Sequence, residues 1–408
     1  MTIGSWVMGL AIALASILWV ELIRDLYHAL SHLWQPLYRL HVWHHKVFRR
    51  DLSVISETVY RQAHWYNDVP ESLVMLTLSV LPWQLTRSWD FTPQWAVWTG
   101  SLYTLAFLLG AIARGLGIPL VDELTDVTHR PGEFTNLPAR WFVNRPYHWR
   151  HHFDNQDAYF SGTLTLVDKV MGTALSLKNK RIAVTGASGT LGTALLTQLH
   201  LAGAKVTALT SSQTEIELDI KGKKVPVKTV AWQTGQESEL LTQLAKTDIL
   251  LLNHGVNVYG HRDQSAIAKS YEINTFSSLR LMDLFFTTFK SDRDLVRKEV
   301  WVNTSEAEVN PAFSPLYELS KRAMGELVTL RRIDAPCVVR KLILGPFKSQ
   351  LNPVGVMSPD WVAKQIVNLA KRDVRNIIVT INPLTFILFP IKEFLTYNYF
   401  RWFSSAKK

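Results

Sequence analysis

The chain opens on an uninterrupted apolar run, Thr2 to Val20 (TIGSWVMGLAIALASILWV), that contains no charge. As a helix this run extends about 28 Å, close to the thickness of a bilayer core. No Lys or Arg precedes it and no small-residue cleavage site follows, so it reads as a retained span rather than a removed signal peptide. A second uncharged run, Gln94 to Ala113, is equally long enough. Leu73 to Thr86 is shorter and holds Pro82, leaving a tilted span, a re-entrant segment or a buried helix open. After the short polar joint Leu177 to Arg181 (LKNKR) the periodicity changes. RIAVTGASGTLGTALLTQLHLAGAKVTALT predicts an apolar strand, a glycine-rich turn, an amphipathic helix and a second strand, one βαβ unit. The final stretch, Asn382 to Phe403, is aromatic and apolar with isolated charges at Lys392, Glu393 and Arg401. Aromatic rings and snorkelling bases favour a bilayer interface for it, a core helix being the alternative.

At 408 residues the chain exceeds what one hydrophobic core organises. The expected division is an α-helical membrane domain over 1–177, an α/β Rossmann domain with a doubly wound parallel sheet over 178–381, and a membrane-docking segment over 382–408. Most of the 15 Trp and 13 His lie before about residue 175, and no internal repeat or low-complexity tract appears. The net charge of +10 comes from bases that are scattered or lie beside apolar runs, as at Lys46, Arg49 and Arg50. Without a basic stripe interleaved with aromatics, nucleic acid is excluded as a partner. The histidine-bearing loops carry Arg49, Arg50, Arg130, Arg140, Arg145 and Arg150, whereas the tip around Arg87 and Asp90 has little net charge. The positive-inside rule therefore predicts an integral membrane protein with the histidine loops and the α/β domain on the cytoplasmic face, and the N-terminus outside. The single Cys337 excludes an internal disulfide framework.

Three histidine clusters carry the first candidate chemistry: His28 and His32 in DLYHALSH, His41, His44 and His45 in HVWHH, and His148, His151 and His152 in HWRHH. Spacings of three and four put imidazoles on one helix face, so each cluster presents two nitrogens to one point. The inventory exceeds one tetrahedral site and predicts two metals with open positions, although imidazole suits iron, zinc and copper alike.

These clusters resemble the HxxxH, HxxHH and HxxHH boxes of the fatty-acid hydroxylase and sterol desaturase superfamily, over about Asp25 to Thr173. LYRLHVWHH and YFSGTLTLVDKVMGT extend the likeness. The resemblance implies two iron ions that activate oxygen for lipid hydroxylation or desaturation, an electron donor as partner, and a further ligand between the second and third boxes, for which His129 in DVTHRPGEFTN is the candidate. His64, followed by Trp65 where members often have proline, is read as a supporting or structural residue, and Val167 stands where tryptophan is common.

In the second half, Gly186, Ser188, Gly189 and Gly192 form a turn whose glycines let a pyrophosphate approach backbone N–H groups at a helix N-terminus. The next strand ends in Thr210, Ser211 and Ser212 where a ribose-binding acid is expected for NAD, so NADP(H) is preferred over NAD(H). Downstream, Ser314 is a candidate N-cap and Pro315 a first helical residue, which places Tyr317 and Lys321 four apart on one face. A phenol needs a neighbouring cation to exchange a proton near neutrality, and Lys321 supplies it. Ser305, at a strand end, is positioned to hydrogen-bond a substrate oxygen.

TGASGTLG, Ser305 and the YxxxK of Tyr317 and Lys321 resemble the short-chain dehydrogenase/reductase family over roughly 180–380. That likeness implies a proton-relay role for Asn274, cofactor contacts at Asn253 and Gly255, and a loop over the nicotinamide at Gly345 to Ser349. His254 and Trp232 depart from its pattern. The combined expectation is a membrane-bound bifunctional oxidoreductase of lipid metabolism, with a lipid substrate and the bilayer as partners. It would join di-iron oxygen-dependent hydroxylation or desaturation to alcohol/carbonyl interconversion. A membrane-tethered reductase with a structural or zinc-binding histidine domain is the alternative, and a non-catalytic NADP(H)-sensing scaffold is a third.

Overall fold

A computed structural model of the chain describes residues 3–89, 93–211 and 215–405, so Asp90 and Ser212 lie outside the described residues. The chain forms two compact units, Met1–Ala174 and Leu175–Lys408.

The first unit is helical. Its elements are α1 (Ile3–Leu33), α2 (Gln35–His45), α3 (Glu57–Ala63), α4 (Val69–Leu78), α5 (Leu81–Thr86), α6 (Gln94–Val97), α7 (Thr99–Leu116), α8 (Val121–Thr125), α9 (Arg145–Phe153) and α10 (Leu166–Met171). The apolar run after Leu73 is thus divided between α4 and α5, with Pro82 in the first turn of α5, where its missing N–H does no harm. Small residues let the long helices approach: Gly100, Ser101, Thr104, Ala111 and Gly115 are buried on α7. Ser16 of α1 donates to the Val97 carbonyl at 2.6 Å and accepts from the Gly100 amide at 2.9 Å. The opposite faces, including Leu10, Leu14, Leu102 and Leu109, are apolar and exposed. Ile3–Leu33 and Gln94–Leu116 are long and apolar enough to cross a membrane. Between α3 and α4, His64–Asp68 winds as a π-helical turn.

The second unit is a sheet of eight strands: β1 (Arg181–Thr185), β2 (Lys205–Thr210), β3 (Ile216–Ile220), β4 (Lys223–Ala231), β5 (Ile249–Leu252), β6 (Glu299–Asn303), β7 (Val338–Leu344) and β8 (Asn376–Val379). Their order is β3-β4-β2-β1-β5-β6-β7-β8, parallel except for the β3/β4 pair. Its helices are α11 (Thr190–Leu201), α12 (Leu241–Ala245), α13 (Gln264–Tyr271), α14 (Ser277–Phe286), α15 (Asp292–Arg297), α16 (Pro315–Arg331), α17 (Pro359–Lys371) and α18 (Thr385–Phe403). Continuous apolar strands such as ILLL of β5 require cover on both faces. Leu195, Leu199, Val362 and Ile366 pack one side, and Leu281, Phe285, Met324 and Val328 the other. The unit has a Rossmann-like fold. Chain order reverses between β1 and β5, which opens a crevice beyond their carboxyl ends.

Within this core β7 buries two cations. Arg340 pairs with Glu299 and Asp373 at 2.8 and 2.7 Å, and Lys341 with Glu393 and Glu308 at 2.8 and 3.2 Å. Full pairing is what makes such burial tolerable.

Candidate active site and metal centre

The crevice of the second unit is built at the ends of β1, β5 and β6. Gly186 turns with φ +61°, and a Cβ at Gly192 would strike the Gly186 carbonyl oxygen. The turn therefore stays open beside the N-terminus of α11, a cradle of the shape and polarity a pyrophosphate needs. Ser188 lies across from the end of β2, its hydroxyl 2.9 Å from that of Thr210. On the other wall the Asn253 amide donates to the Thr185 hydroxyl at 2.9 Å, and the Asn253 side-chain oxygen accepts from Asn303 at 2.8 Å. His254 also meets Thr185, at 2.8 Å, and its ring stands edge-on to Trp232. The two departures from the family pattern thus touch each other.

Tyr317 and Lys321 share a face of α16, with the Lys321 Nζ 5.9 Å from the Tyr317 ring centroid. Ser314 occupies the N-cap position, but its side chain does not cap the helix; it donates instead to Asn257 Oδ1 at 2.8 Å. Lys321 donates to the Asn303 carbonyl at 2.9 Å. Burial lowers Lys321 to about 8, opposed by the charge of Glu308. Burial raises the Tyr317 phenol, and a hydrogen bond with Ser305 opposes the rise. Asn274 lies in a second π-helical turn, Glu272–Phe276. Its amide donates to the Val256 carbonyl at 2.9 Å and to Ser320 at 3.0 Å, while its Oδ1 accepts from the Val256 amide at 2.7 Å. A Cβ on Gly255 would lie 3.1 Å from Asn274 Oδ1, so Gly255 is the residue that lets this bracket close. Ser305 bonds Tyr317, Lys321 lies beside Tyr317 on one helix face, and Asn274 and Lys321 both flank Gly255, so a phenol, a hydroxyl, an ammonium and an amide sit close together in the crevice.

In the first unit the nine histidines singled out from the boxes and from DVTH converge in two groups. One is His28, His32, His41, His45 and His151; the other is His44, His129, His148 and His152. Within the first, Nε2 of His28 is 3.0 Å from that of His151, and Nε2 of His45 is 3.0 Å from that of His41. Within the second, the Nε2 atoms of His129, His148 and His152 stand 2.8 to 3.2 Å apart. The outward nitrogens of four of these histidines are held elsewhere, whereas Nδ1 of His45 and Nδ1 of His152 are buried without a hydrogen-bond partner. Nδ1 of His28 donates to the Phe160 carbonyl and Nδ1 of His151 to the Ala158 carbonyl, both at 2.7 Å. Nδ1 of His41 donates to Asn67 Oδ1 at 2.9 Å, and that of His129 to Asp126. An imidazole that donates through Nδ1 presents a bare lone pair at Nε2, so the inward atoms of His28 and His151 face each other as acceptors. Burial, reinforced by neighbouring imidazoles, pushes His44, His148, His151 and His152 well below the ordinary range and keeps them neutral. Two cations fit this donor set: nitrogens about 2.1 Å from one ion at right angles stand about 3.0 Å apart.

His64 belongs to neither group. Its Nδ1 meets Asp68 at 2.6 Å and its Nε2 is buried without a hydrogen-bond partner. Sequence reasoning missed the residues that aim the ligands. Asn67 sits in the π-helical turn, which leaves no trace in hydropathy. Asp168 is fully buried and accepts from the Phe160 and Ser161 amides at 2.8 Å, from Tyr147 at 2.9 Å and from Thr173 at 2.6 Å, fixing the loop whose carbonyl orients His28. Asp126, which meets His129 Nδ1, was missed as well, although its place three residues before that histidine is a helix spacing that could have marked it.

Among curated proteins, a monoglucosyldiacylglycerol epimerase of Synechocystis sp. is 63% identical over 404 residues, covering 98% of this chain and 98% of that protein. No family model matches the chain. Solved structures align with about half of it. A Burkholderia cenocepacia short-chain dehydrogenase in complex with NADP covers 57% of this chain and 100% of its own at 19% identity and a TM-score of 0.43. A Thermoplasma acidophilum aldohexose dehydrogenase covers 50% and 93%, at 14% and 0.41.

Proposed function

The chain belongs to the family of the monoglucosyldiacylglycerol epimerase, and from that premise we propose that its second unit inverts one carbinol carbon of the sugar headgroup of a glycosyldiacylglycerol. The observation that carries the reading is the grouping of Ser305, Tyr317, Lys321 and Asn274 beside an open glycine turn. Inversion without net redox change requires oxidation of the carbinol to a carbonyl and reduction from the other face. A bound NADP(H) supplies the hydride acceptor for the first half and the donor for the second. Gly186, Ser188, Gly189, Gly192, Asn253 and Gly255 would hold it, and the uncharged Thr210 and Ser211 at the end of β2 favour NADP(H) over NAD(H). Tyr317 takes the hydroxyl proton as the carbonyl forms and returns it afterwards, so protons balance over the cycle. Ser305 orients the reacting oxygen, and Asn274 braces the wall of the crevice through both backbone groups of Val256. Deuterium placed on the inverted carbon should be retained in the product. Washout of the label into solvent, or turnover by Tyr317→Phe at the wild-type rate, would overturn the reading.

A second chemistry is favoured by the two groups of converging imidazole nitrogens. We propose that they hold two iron ions, which when bound supply oxygen activation for hydroxylation or desaturation of a lipid, fed by a separate electron donor. The exposed apolar faces of α1 and α7 support insertion in the bilayer, and the arginines of the histidine loops support a cytoplasmic location for both units. Metal analysis of the purified protein should find about two irons per chain. Zinc in their place would favour a structural anchor.

A further inference from the structure

The second unit carries a surface that its fold does not explain. Helix α18 is built inside out for a soluble domain. Its buried face, Thr385, Phe389 and Glu393, is largely polar, while Phe394, Leu395, Tyr399, Trp402 and Phe403 are exposed. The inner face is pinned by charge: Glu393 accepts from Lys341 and Arg332, and Lys392 donates to Glu308 at 2.9 Å. Thr385 accepts from Asn310 at 2.8 Å and donates to Glu306 at 3.2 Å, both in the loop that follows Ser305. The helix is thus fastened to the catalytic loop and presents its apolar side outward.

The rim of the crevice repeats the pattern. Phe313, four residues before Tyr317, is 98% exposed and held at φ +56°. Tyr259 is held at φ +53° and is also exposed. Backbone in the left-handed region is unfavourable for such side chains and persists only where surrounding contacts hold it. Val354 is 87% exposed. These points belong to one rim: Ser314 bonds Asn257 and Tyr259, Asn257 bonds the Leu351 carbonyl, and Tyr259 bonds the Gln350 carbonyl.

We propose that α18 and the rim residues Phe313, Tyr259 and Val354 dock on a lipid bilayer, so that the membrane surface presents a headgroup to Tyr317. The inference rests on the glycolipid reading above and names how that substrate arrives. Lipid is favoured over a protein occupant by chemistry. Trp402 and Tyr399 beside Arg401 form the mixed aromatic and basic edge that settles at headgroup depth. The same chain carries two helices of membrane-crossing length.

The test uses the full chain in phosphatidylcholine nanodiscs, labelled with a fluorophore at Val354→Cys, Phe394→Cys or, as control, Lys224→Cys on the β3/β4 edge. The native Cys337 is buried and leaves the labelling selective. Nitroxides on the acyl chains should extinguish emission at 354 and 394 and leave 224 bright. Equal quenching at all three, or bright labels at 354 and 394 whether wetted or covered by protein, would overturn the proposal. This readout needs no turnover, so it stands or falls apart from the epimerase reading. With turnover, Val354→Asp combined with Phe394→Asp should raise KM for bilayer lipid about tenfold or more, because two apolar contacts with the bilayer are replaced by charges. An unchanged KM would count against docking.

Discussion

The two units solve the problem of buried polar atoms in opposite ways. In the second, each partner is supplied by the chain: Arg340 has Glu299 and Asp373, Lys341 has Glu308 and Glu393, and Lys321 has the Asn303 carbonyl. In the first, the outward nitrogens of His28, His41, His129 and His151 are satisfied while the inward ones face each other. A site of the first kind is organised before its ligand arrives. A site of the second kind leaves lone pairs in mutual opposition until a cation enters, so its stability is tied to that cation.

The largest expected break in this comparison is Tyr317→Phe. It should reduce inversion and carbonyl reduction about a thousandfold, the scale of general acid–base catalysis, and leave iron content unchanged. Loss of iron in that variant would mean the units are not separable. Next, Asp126→Ala should weaken metal binding about 10–100-fold, because it frees the Nδ1 that orients His129. His129→Ala should reduce metal content further, and His200→Ala, on α11, not at all. Metal titration by inductively coupled plasma spectrometry reads all three.

A smaller effect concerns pH. Lys321 is lowered to about 8, so the rate of carbonyl reduction should fall above pH 8 as the ammonium is lost, by up to about tenfold per unit. The stability sign is opposite. The folded value lies below the unfolded one of about 10.4, so Lys321 penalises the fold below pH 8 and the penalty is relieved between 8 and 10.4. A rate that holds flat to pH 10 would remove Lys321 from the proton path. The smallest effect is Ser320→Ala, which takes an acceptor from Asn274 and should lower the stability of the second unit by about 1 kcal/mol. Calorimetry should show that shift without movement of the metal-dependent transition.

Much of this was legible in the chain because it is local. The glycine turn, Tyr317 with Lys321, and the paired imidazoles are each set by spacing along one element. His129 became visible only through likeness to a family, and Asn274 likewise. What escaped is long-range or carried by backbone. No pattern announces that Asn303 offers its carbonyl to Lys321, or that Asp168 collects two amides and two hydroxyls. The division of Leu73 to Thr86 into α4 and α5 was equally hidden, since hydropathy registers the run and not its break. Lys341 was unremarkable among apolar neighbours until Glu308 and Glu393 arrived from distant segments.

The two π-helical turns carry a consequence in phase. His64–Asp68 and Glu272–Phe276 are wide turns set between ordinary helical segments, one aiming Asn67 and the other Asn274. Such a turn is equivalent to one residue inserted into an α-helix, and one residue is about 100° of rotation. Deleting a single position from 272–276 would close the widened turn without shortening the helix by more than about 1.5 Å. The flanking segments would keep roughly their orientation, because the wide turn had absorbed the extra residue, while side chains inside 272–276 would shift by about 100° around the axis. Asn274 would lose its alignment with Val256 although no side chain in the bracket had been replaced. The angular register of a helix, rather than the identity of any residue in it, would decide whether the site exists.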